Sequence, residues 1–334
     1  MEPARPRGPR ADTTGVGLAW GLLGVLAFSL TIPMTRIAVE SDRLSPMFVG
    51  GGRAVIAALL GATALALTRQ RRPRGRQWLR VAVVAGGAVA GFPLLTSFAL
   101  TQAPAGHAAV VIALLPATTA VVSVLRTGER PGRAFWAAAI AGAVAAVVFA
   151  TVQHSSAGGT TTDDAGAMFA ADALLFAAVV VCAIAYAEGG LLARELGSWQ
   201  TISWALVVAA PVMLALTAIA ALEHLPSGTM VEWLAFAYLG VVSMFLGFVA
   251  WYRGLAIGPL AQVSQVQLAQ PVMTIAWAAL LLREPLGWPT VLGGVTVVAC
   301  ALVAVRTRNR PARTSPRRHA RPRARTHPHR RGGG

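Results

Sequence analysis

FALTQAPAGHAAVVIALLPATTAVVSVLRTGERPG, residues 98–132, is echoed by RGLAIGPLAQVSQVQLAQPVMTIAWAALLLREPLG, residues 253–287. At a fixed offset of 155 residues, Pro104 falls on Pro259, Pro116 on Pro271, Glu129 on Glu284 and Gly132 on Gly287. Leu100, Val111, Thr119 and Leu125 also meet identical residues. Apolar matches follow easily from composition; two prolines and a glutamate in register do not. An odd number of expected membrane spans separates the copies, so they should lie upside down to each other in a bilayer. Inverted repeats are the ground plan of many secondary transporters.

Composition points to the same environment. The chain is 55% hydrophobic and 13% charged over 334 residues. A soluble protein of this length could not hide that much apolar surface, whereas a membrane protein need not. A span needs roughly 20 mainly apolar residues. Ten segments qualify: about 16–38, 46–67, 78–100, 104–125, 133–152, 168–192, 199–222, 231–252, 259–282 and 287–305. The first run lacks a small-residue cleavage site and reads as a retained span. The expected fold is therefore an all-α integral membrane protein, with ten transmembrane helices as two inverted five-helix repeats, 15–152 and 168–305. A tail (1–14) precedes them, a linker (153–167) joins them, and an Arg-rich tail (306–334) follows. The last lacks the apolar content to fold and the aromatics of a nucleic-acid binder.

Arginine placement sets the expected orientation. With both termini cytoplasmic, 25 of the 29 basic residues, all arginine, fall inside. Arg36, Arg43 and Arg283 fall outside, and Arg53 lies within a span. That asymmetry obeys the positive-inside rule. The inner loop RTGERPGR (126–133) has three arginines, and its outer repeat partner LLREPLGW (281–288) has one. Arginine without lysine reads as a high-GC bacterial codon bias, so the expected location is a bacterial inner membrane. Cys182 and Cys300 lie in apolar runs and suggest neither disulfide nor metal site. No cofactor is implied.

The polar residues inside spans carry the candidate chemistry. Pro116 and Pro271 lack an N–H and free the carbonyls four residues earlier, at Ile112 and Gln267. Freed carbonyls in a membrane must face protein or a wet cavity, so these two prolines should kink their helices beside one. His107 and Gln262 are repeat partners near the start of their spans. Gln262, Gln265, Gln267 and Gln270 crowd nine residues; on a helix Gln262, Gln265 and Gln270 share the more compact arc, and Gln267 stands apart. We take His107, Gln262, Gln265 and Gln270 as candidate substrate contacts. Glu188 is isolated in an apolar span and is a candidate proton-coupling group, or else a structural partner for an arginine such as Arg53 or Arg194. Arg53 needs a carboxylate or carbonyls as partner. Glu129 and Glu284 end their helices at opposite faces, where bracing a neighbouring helix end suits their duplication. We class these three as structural charges.

These motifs together resemble the EamA-like family of the drug/metabolite transporter superfamily, ten-span permeases built from two inverted repeats. The proline, the leucine-rich stretch and the Gly-Glu of each fourth repeat helix match LLPATTAVVSVLRTGERP and QLAQPVMTIAWAALLLREPL, with Arg283 where glycine is usual. The second-helix arginine matches Arg53; Trp251, Tyr252, Arg253 and Leu255 match the motif before the ninth helix; Ala183, Ala185 and Tyr186 match one near the sixth. The resemblance covers about residues 15–305. It adds Tyr186 to the candidate contacts, with Trp20 and Trp251 as weaker ones, and implies export of amino acids, metabolites or drugs by facilitated or proton-linked transport. The expected partners are thus a small-molecule substrate, the lipid bilayer and a proton, with no metal. A scaffold or receptor-like protein without flux is the alternative. The remaining alternative, an enzyme acting on lipid-linked substrates, would need clustered His, Asp, Glu or Ser groups at the membrane surface; the longest outer loop offers His154, Ser155, Ser156, Asp163 and Asp164, with no recognisable catalytic spacing.

Overall fold

A computed structural model describes residues 11–128, 132–156, 162–257, 266–285 and 287–308. Glu129, Pro259, Gln262, Gln265, the first ten residues, the middle of the linker and the tail from 309 lie outside the described residues. Among the described residues every regular element is helical. In chain order these are α1 (Ala11–Ser29), α2 (Thr31–Val39), α3 (Pro46–Leu67), α4 (Gln77–Val84), α5 (Phe92–Gln102), α6 (Ala105–Ile112), α7 (Leu115–Thr127), α8 (Arg133–Ser156), α9 (Thr162–Leu196), α10 (Ser198–Glu223), α11 (Met230–Ala237), α12 (Gly247–Ile257), α13 (Gln270–Leu281) and α14 (Trp288–Arg308). Wide π-helical turns, Ala85–Gly91 and Tyr238–Leu246, join α4 to α5 and α11 to α12.

Among the described residues, seven helical stretches are long and apolar enough to cross a membrane: Gly15–Val39, Pro46–Leu67, Gln77–Gln102, Ala105–Arg126, Gly166–Leu196, Ser198–Glu223 and Met230–Gly254. Three shorter apolar helices, Arg133–Phe149, Gln267–Leu281 and Trp288–Val303, accompany them. The distribution of polarity is inverted relative to a soluble protein. Leu59, Leu79, Leu222 and Trp288 are exposed on the outside, while Arg53, His107, Asp172 and Glu188 are buried. Lipid, not water, is the solvent such a surface suits.

The helices pair in a pattern that survives exchange of the two halves. α3 packs along α10, α8 along α14, and α6 against α13. The first two pairs join a first-half helix to its counterpart 155 residues on, and the third joins the start of one repeated segment to the end of the other. α1 lies along α12, and the same offset carries that pair onto α9 and α5, which also pack together. The α1–α12 contact is backbone on backbone. A Cβ on Gly24 would stand 2.8 Å from Trp251 N, and one on Gly254 would stand 2.6 Å from Gly21 N. Without side chains at these points, dispersion between the backbones replaces the hydrophobic effect that lipid cannot supply.

Several of these stretches are not regular helices throughout, among the described residues. In Gly15–Val39, Pro33 has no N–H, so the Ser29 carbonyl loses its helical donor. Thr274 Oγ1 donates to that carbonyl at 2.8 Å, and Trp277 Nε1 donates to Ser29 Oγ at 3.0 Å. In Ala105–Arg126, the ladder stops at Ile112 and resumes at Leu115, with Pro116 in the new first turn. In Gln267–Leu281, a 3-10 turn at Gln267–Ala269 precedes α13, with Pro271 in its first turn. Gln77–Gln102 and Met230–Gly254 carry the π turns.

Gly254→Leu is expected to force α1 and α12 apart, costing about 1–3 kcal/mol as overpacking does. A lowered apparent Tm in detergent, followed by size-exclusion chromatography on heated samples, checks this; an unchanged Tm would contradict the close packing.

Candidate functional site

The interrupted spans converge on the same place. Two cavities adjoin in the middle of the bundle, with Ile32, Leu115 and Gln270 in the walls of both. The larger, about 30 Å³, is lined by Arg53, Tyr186, Thr31 and Ser243, with Phe28, Phe92 and Phe248 as apolar walls. The smaller, about 10 Å³, lies between the prolines Pro116 and Pro271, beside Gln267 and Thr274. Together they have room for a water or two.

The lining is built from repeat-related positions. Thr31 and Tyr186, Ala88 and Ser243, Ile112 and Gln267, Leu115 and Gln270, and Pro116 and Pro271 all stand 155 residues apart and all line these cavities. In three of the five pairs the first-half member is apolar and the second-half member polar. The asymmetry of the repeat, more than its shared residues, makes the cavity polar.

Arg53 is the only strongly basic group among the described residues that line the cavities. Gly50, Gly51 and Gly52 let α3 press against its neighbours. A Cβ on Gly51 would meet Thr217 Oγ1 at 2.6 Å, and one on Gly52 would meet the Phe236 ring at 2.6 Å. The clamped helix delivers a guanidinium that is 2% exposed. Arg53 Nη1 donates to Thr35 Oγ1 at a long 3.5 Å. Thr35 Oγ1 donates to the Thr31 carbonyl at 2.7 Å, and Thr31 Oγ1 shares a 2.7 Å hydrogen bond with Ser243 Oγ. Arg53 Nε, also buried, has no acceptor among the described residues.

Other candidates sit elsewhere. His107 Nε2 lies 2.6 Å from Asp172 Oδ1, with its ring 5.1 Å from that of Phe149. It lines neither cavity. Glu188 lies near one end of the bundle, where Arg80 Nε donates to its Oε2 at 3.0 Å and Arg126 Nε to its Oε1. Its partners are therefore Arg80 and Arg126, not Arg53 or Arg194. Glu284 reaches across the halves to the start of α6. Its Oε1 accepts from Ala105 N at 2.7 Å and its Oε2 from Gly106 N at 2.8 Å. Two orphan donors of a helix N-terminus thus meet a carboxylate, where the helix dipole also favours negative charge. Trp20 lies under the guanidinium of Arg253, 5.0 Å from it, and Trp251 is buried against Gly24. Of the sequence candidates, the cavity brings together Gln270, Tyr186, Pro116, Pro271 and Arg53.

Thr31, Ser243 and the Asp172 partnership are features that the motifs alone do not mark. The first two had a usable signal, since they lie at the offset from Tyr186 and Ala88. The third had none: 65 residues separate His107 and Asp172. Asp172→Leu should leave His107 buried without its acceptor and cost about 1–3 kcal/mol. Thermal unfolding in detergent measures it; a Tm equal to that of the unsubstituted protein would mean the pair contributes nothing.

Comparison with known proteins agrees with this architecture. The EamA-like transporter family matches the chain twice, at residues 15–151 and 169–306. An uncharacterized transporter YdeK of Bacillus subtilis is 42% identical over 286 residues, 86% of this chain and 96% of the relative. A probable terminal-alkyne amino-acid exporter of Streptantibioticus cattleyicolor is 27% identical, covering 90% of this chain and 98% of that one. The aromatic amino acid exporter YddG of Ancylobacter novellus is 26% identical, covering 76% and 81%. A solved structure described only as "Crystal structure of protein" superposes with a TM-score of 0.59 at 22% identity, over 87% of this chain and 96% of the other, which speaks to fold alone. The chain belongs to the EamA-like transporter family, whose matched members are transporters and not enzymes.

Proposed function

We propose that this protein exports small metabolites, amino acids or drug-like compounds across a bacterial inner membrane by alternating access. In this reading ten spans form two inverted halves, both termini are cytoplasmic, and the substrate site is the central cavity. The observation that carries it is the convergence of broken helices from both halves on one polar cavity. Irregular backbone at membrane depth is tolerated beside protein or a water-filled space, and transporters place their sites at such breaks. The two amino-acid exporters among the relatives favour amino acids within that range.

Gln270 and Tyr186 orient the substrate in this reading; Gln262 and Gln265 are further contacts by their sequence position. Alanine at Gln270 and phenylalanine at Tyr186 should each cut efflux from proteoliposomes by about tenfold or more, the worth of a lost hydrogen bond in a dry site. Unchanged flux in both variants would remove the cavity from the mechanism.

Glu188 we assign to holding one end of the bundle, because both its oxygens are engaged by arginines. Transport then needs no proton on Glu188. Glu188→Gln should lower the apparent Tm and leave the response of flux to a pH gradient as it is in the unsubstituted protein. A variant of full stability that has lost a pH-gradient response would instead make Glu188 the proton carrier.

A further inference from the structure

We propose that Arg53 is the anchor for a substrate carboxylate, and that the central cavity selects small organic carboxylates with an apolar body. The proposal deepens the transport reading and rests on it for the site's purpose, though not for binding itself.

Five acidic or basic side chains are buried among the described residues. His107 and Asp172 hold each other. Glu188 has two arginines. Glu232 accepts from the Ser41 hydroxyl and from Thr229 N at 2.6 Å. Arg53 has one long bond to a hydroxyl and no carboxylate within ion-pair distance. An arginine does not shed its proton at physiological pH, so the cavity is cationic. A buried cation without a partner is costly, and the chain spends three consecutive glycines on holding it there.

The shape and charge of the site narrow the ligand. A guanidinium presents a planar fork of donors that fits a carboxylate with two parallel bonds. Nε, the donor without an acceptor, belongs to that fork. A single positive charge matches one carboxylate; a phosphate dianion would call for a second cation, and the described wall residues contain none. They contain no acid either, which disfavours a simple ammonium ligand. Thr31, Ser243 and Tyr186 supply hydroxyls near the charged group, and Phe28, Phe92 and Phe248 supply an apolar wall. The present cavity is too small for such a molecule, so binding includes separation of the helices around it.

The test uses the full chain purified in detergent, with hydrocinnamate and L-phenylalanine as carboxylate probes and hydrocinnamamide and phenethylamine as controls. The two acids should raise the Tm, and the amide and amine should not. Arg53→Met should fold with a Tm at or above that of the unsubstituted protein, because it removes an uncompensated buried charge. It should bind hydrocinnamate about ten- to hundredfold more weakly, the range of one charged hydrogen-bonded contact, with Arg53→Lys in between. Equal stabilisation by acid and amide overturns the assignment, as does failure of both acids to bind, or unchanged affinity in Arg53→Met. If Arg53→Met does not fold, the four-probe series on the unsubstituted protein decides alone. In proteoliposomes, amide flux as fast as acid flux would sink the Arg53 assignment and leave transport standing. Acid binding that depends on Arg53 but yields no flux would do the reverse.

Discussion

A helix in hydrocarbon satisfies its own backbone, and every place where it stops doing so must be served by another part of the protein. Here that constraint links the two halves. Pro33 deprives the Ser29 carbonyl of its donor, and the second half supplies Thr274. The start of α6 exposes Ala105 N and Gly106 N, and the second half supplies Glu284. The fourth and ninth spans break beside each other, at Ala113–Leu114 and at Gln267–Ala269. The first two of these defects are answered by the opposite half. The cavity is what remains between the answers.

Much of this was written in one-dimensional form. Proline announces a backbone break wherever it falls, because its missing N–H is a local fact. Pro116 and Pro271 therefore located the middle of the bundle from sequence. Glu284 was legible as a brace from its place at a span end, but its partners were not. A carboxylate at a span end has to find donors, but nothing local says which helix presents them. The same limit hid His107 and Asp172 from each other and left Glu188 with the wrong arginines. The π turns left no trace of their own: Ala85–Gly91 and Tyr238–Leu246 have unlike sequences and share only their place in the repeat.

Repetition and divergence do separate work in this chain. What the copies share builds frame: the prolines and the helix pairing. What they do not share lies on the cavity wall, where Ile112, Leu115 and Ala88 are answered by Gln267, Gln270 and Ser243. Arg53 belongs to the divergent set as well, since its counterpart at the offset is Val208. A duplicated scaffold with single-copy polar groups gives a near-symmetric machine an asymmetric grip on what it holds.

The Glu284 clasp on α6 and the Arg80–Glu188–Arg126 cluster close opposite ends of the bundle, and both are formed at once. In a carrier that opens one end at a time, each opening breaks only its own set of contacts. The difference between the two costs then sets the fraction of molecules resting with each end open, about tenfold for every 1.4 kcal/mol. Residues that never touch the cargo would thereby tune its apparent affinity from each side. Substitutions at these two end clusters would shift that bias while leaving the cavity untouched.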